Sequence, residues 1–253
     1  TAFGAHNPNP APPTTEQIAL VEAALPASAP AKPQKPRKVL IFWLCEGFFH
    51  NAIPVGNLAL TRLGEKTGAY ESVVSDDPAM LRAENLEQFD AILFNSTTNL
   101  KNTYDNTELR QSLLDFVNNG KGIAGVHAAA DNFSFWPEAA CVIGGVFAGH
   151  PWTAGGIWAV KLDEPDHPFN TSFGGTGFLI HDEIYWWKPE PYSRDALRVL
   201  TSLDFSNQRN YEVKNAEVHK DLDVGITWYH EVGKGRVFYC SLGHNPDIYW
   251  NRD

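Results

Sequence analysis

Cysteine is scarce in this chain of 253 residues. Its three cysteines, Cys45, Cys141 and Cys240, leave one unpaired and show no C-x-x-C spacing, which argues against a disulfide framework and a zinc ribbon. Positive charge is also short: 20 Lys and Arg face 30 Asp and Glu, for a net charge of -10. Nucleic acid and anionic membranes call for a field of the opposite sign, so neither is an expected partner. No stretch approaches the roughly 20 apolar residues of a membrane span. There is no internal repeat and no H-E-x-x-H motif, so a metal site would have to be assembled from distant segments. The chain opens at Thr1 instead of a methionine. Together with a linker rich in proline, this leads us to expect an exported, periplasmic protein, with the cytoplasm as the alternative.

Aromatic residues are plentiful: eight Trp, eight Tyr and 15 Phe. Most are needed for a core, but aromatic faces also suit the C-H faces of sugars. A neutral or polar small molecule is the expected ligand.

The chain divides at Lys38. Residues 1–37 hold a tail containing His6, a short helix in "TTEQIALVEAAL" that opens on a capping box of Thr14 and Gln17, and the Pro/Ala/Lys linker. Residues 38–253 alternate strand and helix signals, the pattern of a mostly parallel sheet with helices on both faces. "KVLIFWL", "YESVVS", "DAILFNS" and "GIAGVH" read as strands. A helix is expected from Ile53 to Thr67, stopped by Gly68, and another opening at Asp105 with Leu109, Leu113, Phe116 and Val117 on one face. A third is expected over Ser134 to Val142. "IWAVKLD", "EIYWW", "LRVLTSL", "VGITWYHEV" and "RVFYCSL" follow as strands, the last two joined as a hairpin through Gly233 to Gly235.

Histidines fall where such sheets bind ligands, at the carboxyl ends of strands. His50 follows the first strand, His127 ends the fourth and His244 ends the last. His150, His181, Asp182, Glu183 and Asp131 are further candidates. Asp131 lies four residues after His127, with helix capping as its competing role. Asp182 and Glu183 would point to opposite faces of a strand, one of them inward. His167 reads as a turn residue, and His230 with Glu231 as a supporting pair.

The ordered fragments "GFFH", "GKGIAGVHAAAD", "WPE", "IGGVFAGHP", "HDEIYWW" and "YHEVGKGRVFYCSLGH" resemble the ThuA-like family, named for trehalose utilisation, over most of Lys38 to Trp250. The resemblance implies a flavodoxin-like sandwich similar to class I glutamine amidotransferases, and a link to disaccharide metabolism through 3-keto sugars. His127 stands where those amidotransferases carry a nucleophilic cysteine, so glutaminase activity is not expected: an imidazole cannot form the thioester. The family's motif residues fall on His50, His127, Asp131, His150, Asp182, Glu183, Tyr185, His230 and His244. Relatives often carry Asp-His-Pro before the W-x-H-E strand; here "DLDVGITWYHE" lacks it, or His219 replaces it. Relatives also continue into a last helix, and the helix of Thr15 to Leu25 is expected to pack in its place.

The expected activity is an enzyme taking a proton from the carbon beside the ketone of a 3-keto-glycoside, leading to elimination, isomerisation or hydrolysis. His127 and His244 would be central, with Glu183 or Asp131 as base. His50, His150, Asp182, Tyr185, Trp136 and Trp186 would bind substrate. His50, His127 and His244 could hold a divalent metal such as zinc; no nucleotide cofactor is expected. The competing readings are a sugar-binding module stacking on Trp136, Trp186 and Trp187, and a tethered spacer.

Overall fold

The computed structural model describes residues 9–213 and 222–251; His6 and His219 lie outside them. Helix α1 (Thr15–Ala24) opens as its sequence dictates: the Thr14 hydroxyl accepts from the Gln17 amide, and the Gln17 side chain accepts from the Thr14 amide. Then come β1 (Lys38–Phe42), α2 (Ile53–Thr67), β2 (Glu71–Ser75), α3 (Ala83–Leu86), β3 (Ala91–Asn95), α4 (Thr107–Asn118), β4 (Gly122–Val126), α5 (Pro137–Ile143) and β5 (Phe147–Trp152). The rest of the chain gives β6 (Ile157–Leu162), β7 (Phe178–His181), β8 (Ile184–Trp187), β9 (Arg198–Leu203), α6 (Gln208–Tyr211), β10 (Gly225–Val232) and β11 (Gly235–Cys240).

Nine strands form one sheet in the order β2-β1-β3-β4-β11-β10-β9-β6-β7, while β5 and β8 pair separately. The expected mostly parallel sheet needs correction. From β2 to β11 every neighbour is parallel, and from β11 to β7 every neighbour is antiparallel. The turn between β10 and β11 is the cause. Val232 pairs with Gly235 across two residues, with Gly233 at φ 57, and so tight a connection can only join antiparallel strands.

Burial follows the sequence pattern. Leu40, Ile41 and Phe42 of β1 are all buried, as expected of a strand covered on both faces. On α4 the stripe of Leu109, Leu113, Phe116 and Val117 is buried, but the helix is capped by Asn106, whose side chain accepts from the amides of Glu108 and Leu109. Asp105 belongs instead to a 3-10 turn, Thr103–Asp105. Helix α1 packs through Val21 onto Val55 and Ala59 of α2 and onto Tyr249 and Trp250. Glu22 pairs with Arg62 at 3.0 Å, and Lys66 donates to the carbonyls of Glu22 and Leu25 at the end of α1.

Candidate active site

Because β1, β3, β4 and β11 run parallel, their carboxyl ends share one rim of the sheet. The strand order reverses between β1 and β3, so the loops that follow diverge and leave a crevice. Into it come His50 from the loop after β1, His127 directly after β4, and His244 four residues after β11.

His127 is fully buried and has φ 48, a left-handed backbone rare for a residue with a side chain. The Tyr239 hydroxyl donates to its carbonyl at 2.6 Å, and its Nδ1 lies 2.8 Å from the Ser241 carbonyl. A carbonyl only accepts, so Nδ1 carries the proton and Nε2 presents a lone pair to the crevice. His244 Nδ1 lies 3.3 Å from that lone pair, and Glu183 Oε1 lies 3.8 Å from it and 3.4 Å from His244. The His50 ring sits 4.7 Å from His127 and 5.1 Å from His244, centroid to centroid. Its buried Nδ1 has no hydrogen-bond partner among the described residues.

The three imidazoles form a candidate metal centre. Their ligand atoms lie within 4.8 Å of one another, three histidines beside an open cleft match a catalytic zinc site, and the Ser241 carbonyl fixes the tautomer of His127. Burial, reinforced by the neighbouring histidines, pushes His50 down to about 3 and His127 well below its ordinary value. Both are therefore neutral, as ligands must be. For His244, burial works in the same direction but is outweighed by the hydrogen bond and charge of Glu183, so its value rises.

The carboxylates divide their roles. Asp182 is fully buried and accepts from the amides of Gly243 at 2.6 Å and Asn245 at 2.8 Å, gripping the chain on both sides of His244. Burial raises its carboxyl to about 6 despite those bonds. Glu183 turns its second oxygen to His150 Nδ1 at 3.2 Å, and that imidazole is half exposed. Asp131 closes the 3-10 turn His127–Asp131. It lines the same cavity, of about 640 Å³, as Glu183 and His244, and burial lifts it to about 6 against the pull of Lys188.

A family model described as trehalose utilisation, ThuA, matches residues 38–253. The chain belongs to the ThuA family. A ThuA-like protein from Bacteroides uniformis shares its fold, with a TM-score of 0.67 at 24% identity over 88% of this chain and 89% of that one. A second, from Parabacteroides merdae, has a TM-score of 0.58 at 17% identity over 83% and 80%. A cytoplasmic protein of Salmonella typhimurium has 0.51 at 13% identity over 80% and 86%. No curated protein matches the chain.

In this ThuA-family chain the structure brings together His50, His127, Asp131, His150, Glu183, Tyr185 and His244. Tyr185 lies under His127, its ring centroid 4.3 Å away. Asp182 is corrected from substrate contact to support, since it is fully buried and both its oxygens accept from backbone amides. Glu183 is buried as well, because residues 182 and 183 form the link between β7 and β8 and do not alternate as a strand would. Trp136 is corrected to the core: it is buried against Tyr104 and Phe133. Trp186 packs with the cluster around Trp152 and Ile184, and Trp187 is buried against Trp228. His230 bonds the Val142 carbonyl at 2.8 Å and His181 pairs with Asp247 at 3.0 Å. Asp131 caps no helix, since α5 begins after Trp136.

Sequence reasoning missed Phe48, Phe147, Thr98 and Asn99, which also line the cavity. The pair of phenylalanines before His50 was the available signal for the first. Ser96 and Asn99, both at φ 49, offered none, because Asn and Ser after a strand read as an ordinary turn.

Proposed function

We propose that the cleft transfers a proton at the carbon beside the ketone of an oxidised sugar, a 3-keto-glycoside, and that His50, His127 and His244 hold a divalent metal such as zinc. The observation that carries this reading is the convergence of three neutral or hydrogen-bonded imidazoles with Glu183 in one concave site. The order of the parallel strands, β2-β1-β3-β4 and then β11, also agrees with a flavodoxin-like relationship.

A ketone acidifies its neighbouring C-H. Glu183 takes that proton, the C-H electron pair becomes the carbon-carbon bond of an enolate, and negative charge develops on the former ketone oxygen. A metal at the three histidines would act as a Lewis acid toward such an oxygen. His150, whose Nδ1 lies 3.2 Å from Glu183 and which is half exposed, connects the buried base to solvent. Asp131, lifted to about 6, is suited to donate a proton to a departing glycosidic oxygen. His244 is oriented by Asp182 through the Gly243 and Asn245 amides. Glutaminase chemistry is not proposed, since the imidazole of His127 cannot form the thioester that glutamine hydrolysis needs.

The test is NMR of the protein with methyl 3-keto-glucoside in heavy water. Deuterium should enter the carbon beside the ketone, or a new product should form. Glu183→Gln and His244→Ala should each slow this by about a hundredfold or more with unchanged circular dichroism. Binding without exchange or turnover would replace the enzyme with a sugar-binding module.

A further inference from the structure

We propose that Phe48 determines specificity in this cleft by offering its ring to the C-H face of a sugar. The inference rests on the sugar reading above and adds the residue that selects the ring.

Phe48 is 50% exposed at the lip of the cavity. An exposed phenylalanine on a loose loop would fold down onto nearby apolar surface, but this backbone is pinned. Thr98 Oγ1 donates to the Phe48 carbonyl at 2.9 Å and accepts from the Gly47 amide at 3.2 Å, while the Glu46 amide donates to the Thr98 carbonyl at 2.9 Å. The Glu46 carboxylate in turn accepts from the amides of Asn102 and Thr103 and from the Thr103 hydroxyl, at 2.6 to 2.8 Å. The Phe48 ring meets His50 edge-on, centroids 4.8 Å apart. The backbone that carries the ring is thus held in place, so the ligand that covers this apolar face does not have to order the loop.

The rest of the cleft says what that ligand is. Phe147 supplies a second apolar surface, backed by Tyr185 at 4.4 Å. Beneath lie the histidines, Asp131 and Glu183, which suit hydroxyl groups. Among the described residues no Lys or Arg lines the cavity, so a phosphate or carboxylate would enter without a guanidinium or ammonium partner. A dication at the histidines would be balanced by Asp131 and Glu183. Apolar faces over a polar floor with no surplus positive charge fit a neutral pyranoside.

Calorimetric titration of the full chain with methyl glucoside and with glucose 6-phosphate tests this, using wild type, Phe48→Ala and Phe48→Trp. Wild type should bind the neutral sugar and not the phosphate. Phe48→Ala should weaken the neutral sugar about five- to tenfold, half the value of fully burying a phenylalanine, and Phe48→Trp should restore it. Circular dichroism should be unchanged throughout, since a half-exposed ring leaves no core cavity. Equal affinity in Phe48→Ala overturns the role of Phe48 alone. A wild type that binds no neutral glycoside, or prefers the phosphate, overturns it together with the sugar reading.

Discussion

Burial lifts the Asp131 carboxyl from its ordinary 3.8 to about 6, so its charge weakens the folded state. That penalty is complete above pH 6. It fades as pH falls toward 4, because the folded protein takes up its proton before the unfolded chain does. Asp131→Asn should therefore stabilise the protein at pH 7.5 by on the order of 2 kcal/mol, with the gain vanishing near pH 4. Denaturant melts of the two proteins at both pH values check this; an equal gain at both would assign the effect to packing. A stabilising change at a cleft residue is the signature of a group kept for function. The place of His127 on the rim was legible, because an imidazole directly after an apolar strand marks the carboxyl end of that strand. Phe48 was not, and Trp136 misled in the opposite sense. Both are aromatic residues beside turn signals, and only the fold decides that one is half exposed and the other buried.

Among the elements, α1 joins the body of the protein at the turn Pro246–Trp250, which begins two residues after His244. Val21 is the contact that matters, being fully buried between α2 and that turn. Val21→Asp should lower stability by about 2 kcal/mol or more and open the linker of residues 26–37 to protease; thermal melts and limited proteolysis report the two effects. A variant as stable and as resistant as wild type would show that α1 contributes nothing. Helices such as α1, α2 and α4 were readable because caps and periodicity act locally: Thr14 with Gln17, Gly68 at φ 65, the Leu109 stripe. Strands β5 and β7 were not. Gly149, His150 and Pro151 read as a turn, yet they form an irregular strand because β8 lies alongside, with shifts of register between Phe147 and Trp152. Gly174, Gly175 and Gly177 masked β7 in the same way. Long-range pairing made these strands, and no local signal announced it.

For the whole molecule, the three histidines come from the first, middle and last parts of the sheet-forming chain, so a metal among them would tie those parts together. A ligand that binds only the folded state stabilises it by mass action, by about 2.7 kcal/mol at a hundred times its dissociation constant. Zinc should accordingly raise the melting temperature of wild type and leave that of His244→Ala unchanged; a shift of equal size in both would place the metal elsewhere.

The sheet order also has a consequence during synthesis. Strand β4 emerges from the ribosome more than a hundred residues before β11, the strand that covers its second edge. At about 5 to 20 residues per second, that edge of unpaired N–H and C=O groups waits on the order of ten seconds for its partner. The nascent chain is therefore exposed to mispairing through the middle of its future sheet in that interval.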